Sequence, residues 1–437
     1  MSFVEGDMMA HQARLLAGSV LSIWALLFGV ALLSMASGLQ GTLLGLRATS
    51  EGFTTVQIGI FMSSYYLGFL LGAGNTPKLV RKVGHPRVFA ALASISSITI
   101  LMHYVVLEPW FWNVMRIING FAFAGLYVVA ESWLNDMASN KIRGQLISFY
   151  MMLQYFSTAA GYALMNVASA DQVILYLTVS ILVSVALVPV LLSTGKTPRF
   201  DDIKKLSIKE LFKNAPLGGI GSIAAGLTQS TAFTMGVIYC QKIGLSIAET
   251  TLFLAAFIIA GAVVQWPIGY LSDRLDRRVM IALMSILSVV ATLFLQSFAT
   301  AGASEVIVFI SLYGAVSLAI YPMIVSHTND RMKPELMIGA SSTMFLVYGI
   351  AAIVGPFVCS MLMQYYGGDG FTMHLGAIHA LFAVYTLYRL FSHRAVPTAE
   401  QGTFLPAFPR SLTGVSPMIK AMVRTAQKTM RYPKNKS

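Results

Sequence analysis

Gly269-Tyr-Leu-Ser-Asp273-Arg274-Leu-Asp276-Arg277-Arg278 is a densely charged stretch set between two long apolar runs, approximately 249–271 and 279–300. Each run has about 20 residues or more, enough to cross a hydrocarbon core as a helix. Charged side chains are costly at that depth. The stretch therefore reads as a tight aqueous loop joining two membrane helices.

The same alternation continues outward. Further apolar stretches lie at approximately 17–45, 56–77, 87–107, 111–134, 145–167, 173–192, 216–240, 305–325, 338–364 and 373–391. Only a helix satisfies its own backbone polar groups in such a segment. The expected fold is an all-α membrane protein of twelve transmembrane helices. Composition agrees, with 56% hydrophobic and 11% charged residues in 437. Soluble domains carry about 25% charged residues to cover their surface.

Basic residues fall in alternate loops: Lys78, Arg81, Lys82 and Arg87; Lys141 and Arg143; Lys196 through Lys213; Arg274, Arg277 and Arg278; Arg331 and Lys333. The intervening loops hold Arg47 and Lys242. This asymmetry places the first set and both termini in the cytoplasm. The net charge of +12 then belongs to cytoplasmic loops facing anionic lipid, and no nucleic-acid partner is expected. Cys240 and Cys359 are the two cysteines, both in or beside apolar runs, and neither a disulfide framework nor a metal site is expected.

A shift of 192 residues lays the first half on the second. Gly52-Phe53-Thr54 falls on Gly244-Leu245-Ser246, Phe61 on Phe253, and Lys82 on Arg274. Six spans per repeat make this a parallel duplication. The expected organisation is a six-helix bundle over 1–192, a cytoplasmic central loop over 193–215, a second bundle over 216–392 and a basic tail over 393–437. Within the loop, Ser207-Ile-Lys-Glu210 is a capping box, predicting a short helix. In the tail, residues 418–430 predict a basic amphipathic helix.

The loop at 269–278 resembles the signature loop of the major facilitator superfamily, Gly-x-Leu-x-Asp-Arg-x-Gly-Arg-Arg. The equivalent first-half loop, Pro77-Lys-Leu-Val-Arg81-Lys82-Val-Gly84, departs from it, with Arg81 where the family has an acid. Arg116-Ile-Ile-Asn119-Gly120 resembles the family's Arg-x-x-x-Gly signature in the fourth span. Glu131 followed by Lys141-Ile-Arg143-Gly144 resembles its junction between the fourth and fifth spans. Ser63-Ser64-Tyr65-Tyr66, Val129-Ala130-Glu131-Ser132, Gln265-Trp266-Pro267-Ile268-Gly269 and Ile320-Tyr321-Pro322 are similar to the YcaD-like bacterial branch. The fifth span lacks the Gly-Pro pair typical of drug/proton antiporters; Gly355-Pro356 stands in the eleventh instead.

The resemblance implies a secondary transporter of the bacterial inner membrane, moving a small organic solute by alternating access, with a proton as candidate coupling ion. It also implies that the first, fourth, seventh and tenth spans line a central cavity. The candidate cavity residues are Ser37 and Gln40; Arg116, Asn119 and Tyr127; Gln229 and Thr231; Ser317 and Tyr321. Arg116 is the sharpest of these, because a membrane-embedded arginine is a functional hypothesis by default; each serine or threonine taken alone is as readily interhelical glue. The candidate gate is Arg81, Lys82, Glu131, Arg143, Asp273, Arg274 and Arg277, with Asp273 as its one acidic latch, reaching Arg143 and the positive end of the fifth span. A monomer is expected, with small-molecule and lipid partners and no cofactor. No phosphate-binding GxxxxGK[ST] loop occurs, so ATP does not drive it directly, and no HExxH or GxSxG motif points to an enzyme. A non-transporting receptor or scaffold on the same fold is the alternative, against which the short loops argue.

Overall fold

The computed structural model describes residues 24–137, 143–192 and 206–392, together with Pro397, Gln401, Gly402 and Phe404. These residues form thirteen α-helices: α1 Trp24–Ser50, α2 Thr55–Val83, α3 His85–Val105, α4 Pro109–Met137, α5 Arg143–Ala163, α6 Val173–Leu192, α7 Ile208–Asn214, α8 Pro216–Lys242, α9 Ile247–Ser272, α10 Arg277–Ser297, α11 Ala303–Asn329, α12 Met337–Tyr366 and α13 Asp369–Ser392. The predicted tail helix lies outside the described residues.

Helix starts follow from local chemistry. Thr54, Ser207 and Ser246 each accept from the backbone three residues on, while Gln57, Glu210 and Glu249 reach back to the cap amide. These reciprocal bonds satisfy two otherwise orphaned amides. The short α7 is the helix that the Ser207 box predicts. Helix α1 runs past its apolar stretch to Ser50, and Arg47 pairs with Glu51 at 2.7 Å beyond its end.

Ten of the described helices are long and apolar enough to cross a membrane. The other two long ones, α5 and α8, are more polar. Helix α8 carries Thr228, Gln229, Ser230, Thr231 and Thr234, all buried. Their cost in the bilayer is offset by neighbours: a helix walled off from lipid by protein need not be apolar throughout.

The duplication is visible in the boundaries. Shifted by 192 residues, His85–Val105 falls on Arg277–Ser297 at both ends, and the end of α1 at Ser50 falls on the end of α8 at Lys242. Packing repeats too: α1 lies on α5 and α6, and α2 on α4; in the second half α8 lies on α12, and α9 on α11. The halves meet along α2 with α12, α5 with α9, and α1 with α8. The described residues thus form two related halves of six long helices each, the organisation expected from the sequence.

Several seam contacts cluster at one end of the bundle, the end bearing the turns at Gly52 and Gly244. There Gly59 of α2 abuts Ser360 and Pro356 of α12, and Gly45 of α1 abuts Val237 and Ile238 of α8. Asn166, just beyond α5, donates to the Thr251 hydroxyl at the start of α9 (3.0 Å). Deeper in, Gln265 of α9 donates to the Tyr155 hydroxyl of α5 at 2.5 Å. The signature loop lies at the opposite end.

Candidate functional site

The polar residues of the first half divide into two groups. Gln40 donates to the Asn119 side-chain oxygen at 2.9 Å, and the Asn119 amide donates to Ser96 (3.2 Å) and Thr99 (3.0 Å). Asn119 is fully buried, and these bonds tie α1, α3 and α4 together inside the bundle. Ser34 and Tyr127 approach at 3.5 Å, again between α1 and α4; Ser37 is buried on the same helix.

Arg116 stands apart. Only 3% exposed, its guanidinium lies 5.0 Å from the Phe61 ring centre and 4.6 Å from that of Tyr65. An Arg116 amine also meets the Met62 sulfur at 3.7 Å. Aromatic faces carry negative quadrupole charge and hold a desolvated cation. Arg116 therefore turns into the protein against α2, away from lipid headgroups.

In the second half the polar groups converge on an amide. Gln229 donates to the Ser317 carbonyl (3.2 Å) and accepts from the Tyr348 hydroxyl (3.3 Å). Tyr348 packs on Tyr321 with centroids 5.0 Å apart. Thr231 meets His374 at 3.2 Å, and Tyr313 meets His379 at 3.1 Å. The adjacent Gly349 packs on Leu70 of α2, so this cluster borders the seam. Met62, whose sulfur Arg116 meets, lies against Gly45 of α1 where that helix approaches Val237 of α8, so Arg116 also borders the interface between the halves. An aromatic-covered cation and a tyrosine–amide cluster thus flank one seam.

At the other candidate site, Arg277 is the centre. One per cent exposed, its side chain pairs with Asp273 at 3.1 Å and with Asp330 at 3.3 Å. It also donates to the Gly402 carbonyl. Asp276 caps α10 and grips Arg278 at 2.7 Å. Arg274 lies over the Tyr270 ring at 3.5 Å.

Electrostatics here follow from burial and partners. Burial opposes the Asp276 charge, but hydrogen bonds from the Arg278 side chain and backbone, with its positive charge, hold the carboxyl below its usual range. Asp330 goes the other way: burial raises it, and Arg277 and the Gly402 amide recover only part of the shift.

In the first half, Arg81 and Lys82 are exposed in the last turn of α2, and Glu131 is buried at 2% exposure, accepting from the Tyr150 hydroxyl at 3.4 Å. Helix α5 begins at Arg143, whose side chain lies outside the described residues.

The Major Facilitator Superfamily model matches residues 26–356 and again 218–426. The chain belongs to that superfamily. This facilitator is 25% identical over 380 residues to an uncharacterized MFS-type transporter, YcaD, of Escherichia fergusonii, covering 86% of this chain and 98% of that one. Its fold is similar to the crystal structure of the nucleoside transporter NupG (TM-score 0.69, 15% identity, 85% of this chain and 100% of that one). It is equally similar to a bacterial homologue of the human lysosomal transporter Spinster, in an inward-facing and occupied conformation (TM-score 0.69, 13% identity, 88% and 98%). The facilitator is thus a multi-pass membrane transporter.

Four participants escape sequence reasoning. Tyr348 lies on α12, outside the four helices expected to line the cavity, and only packing brings it to Gln229. Asp330 reads as an ordinary polar end of α11; its pairing with Arg277 spans more than fifty residues of chain. Gly402 and Phe404 carry no motif at all. The Phe404 amide nonetheless donates to Asp273 at 2.7 Å, and the Gly402 amide to Asp330 at 2.9 Å.

Proposed function

We propose that this facilitator is a secondary active transporter that moves a small organic solute across the bacterial inner membrane by alternating access. The observation that carries the reading is the seam: tightly packed at one end and flanked at depth by Arg116 on one side and Gln229, Tyr321 and Tyr348 on the other. A transporter needs a binding site that two halves can expose in turn, and polar groups beside a seam between duplicated bundles suit that demand. Arg116 favours a substrate with an anionic or carbonyl-bearing group. Within the cavity set, Ser37, Tyr127, Thr231 and Ser317 shape the wall, while Gln40 and Asn119 hold α1 against α4.

The basic loops put the signature-loop end, and both termini, in the cytoplasm. On this reading the packed end is the periplasmic one, which suits an inward-facing state. Asp273 serves as the latch of the opposite state, meeting the start of α5 when the cytoplasmic end closes. Arg274 and Arg277 hold the second-half side of that gate, and Arg81, Lys82 and Glu131 form its first-half side. The protein works as a monomer, with a proton as the coupling ion.

A thermal-shift screen of purified protein against metabolites and drugs tests the reading first, because a ligand that binds only the folded state raises its melting point. A hit then enters proteoliposome flux with an imposed pH gradient. Flux that ignores the gradient removes the proton from the proposal, and a ligand that binds without ever crossing removes transport.

A further inference from the structure

The second-half signature loop is occupied by the chain's own tail. Asp273 accepts two donors on one oxygen, Arg277 at 3.1 Å and the Phe404 amide at 2.7 Å. Asp330, with its side chain 4% exposed, accepts the Gly402 amide at 2.9 Å. Arg277 returns a bond to the Gly402 carbonyl. The Phe404 ring lies where a side chain on Gly269 would stand: a Cβ there would clash with the ring itself. Three charged groups and one glycine thus hold two tail amides, one tail carbonyl and one ring, and amide-to-carboxylate bonds are stronger than neutral ones.

We propose that the tail residues Gly402 and Phe404 are a built-in ligand of the second-half signature loop. They engage Asp273 and Arg277 and so favour the state in which the loop-bearing end is open. The consequence is competition. The oxygen of Asp273 that holds the tail is committed to two donors, and closing the gate requires Asp273 to turn towards the start of α5. Tail docking and gate closure draw on the same carboxylate, so whatever releases the tail promotes closure. This step rests on the latch reading above; the docking itself does not.

Two measurements on the full-length protein in nanodiscs test it. Hydrogen exchange of peptides spanning Gln401–Phe404 reads docking. Protection in the wild type, rising to exchange about tenfold faster in Phe404→Ala, is expected from the loss of the ring anchor beside charge-assisted bonds. A wild-type segment that exchanges as fast as an unstructured peptide overturns the proposal. Spin labels at Gln145 of α5 and Leu271 of α9, in a background with Cys240 and Cys359 replaced, read the gate. Phe404→Ala is expected to enlarge the short-distance population severalfold. If Phe404→Ala releases the tail with distances unchanged, while Asp273→Asn shifts them, the competition is overturned and the latch stands. If Asp273→Asn leaves them unchanged, the latch reading fails and the competition fails with it.

Discussion

Gly59→Ala adds one methyl group at the packed end of the seam. The new Cβ would lie 3.0 Å from the Pro356 carbonyl oxygen and well inside the contact shell of both Ser360 Cβ and Ser360 Oγ. Turning the serine hydroxyl moves the oxygen aside but not Cβ, which is fixed to the backbone. Carbon atoms pack at about 3.5–4.0 Å, so α2 and α12 must separate by about 1 Å. The helix-propensity gain of alanine over glycine is shared by both folded states and cancels from the equilibrium between them. Overpacking of this kind costs about 1–3 kcal/mol, and it falls on the state in which these helices touch. A shift of 1.4 kcal/mol is about tenfold in an equilibrium, so the ratio of open to closed at this end should rise about fivefold to a hundredfold. Spin labels at Ile60 and Tyr365 would report it as a longer distance. Gly74→Ala supplies the control, since nothing lies within 4 Å of a Cβ on that residue of the same helix. The double variant Gly59→Ala/Ser360→Gly moves the volume from one helix to the other and should restore the wild-type distribution. Unchanged distances in Gly59→Ala, or no rescue in the double variant, would refute the argument that this backbone contact seals the end.

Other perturbations have directions of their own. Arg116→Ala should abolish flux while the protein still folds, and Arg116→Lys should restore only part of it, because a planar guanidinium suits both aromatic faces and a bidentate substrate group; normal transport by Arg116→Ala would remove it from the site. Asn119→Leu leaves Gln40, Ser96 and Thr99 short of a partner and should lower detergent-phase stability by about 1–2 kcal/mol, read as a fall in melting temperature. Asp273→Asn should weaken the state closed at the loop-bearing end, and cysteine labelling from each face would show it; unchanged labelling rules out the latch. Asp276→Ala removes the cap of α10, a loss of about 1 kcal/mol. Because its folded pKa is depressed, the contribution of Asp276 is present above the ordinary carboxylate range and disappears as pH falls through the folded value; the wild-type and Asp276→Ala melting curves should converge on acidification.

Much of the molecule is legible in its sequence alone. Each membrane helix is a local decision: an apolar run about 20 residues long has no other way to satisfy its backbone in lipid. The 192-residue shift is readable from scattered identities such as Phe61 and Phe253, and the boundaries of α3 and α10 obey it. Capping boxes at Ser207 and Ser246 are equally local. The family's motifs point to Arg116 and Asp273 because a charge in or beside a membrane helix needs a reason.

Tertiary structure decided which polar groups meet. Gln40 and Asn119 read as cavity residues, yet they face each other because α1 and α4 cross at that level. Tyr348 entered the second-half cluster from a helix that periodicity could not single out. Arg277 shares a setting with Asp330 and Gly402 although neither is near it in sequence, and Asp273 holds the backbone of a tail that no pattern marked. The division has a physical basis. Helix formation and membrane insertion depend on neighbours within a turn or a span, which a sequence displays directly. Hydrogen bonds to a backbone amide 131 residues away depend on where packing delivers it, and an amide has no side chain by which sequence could announce it.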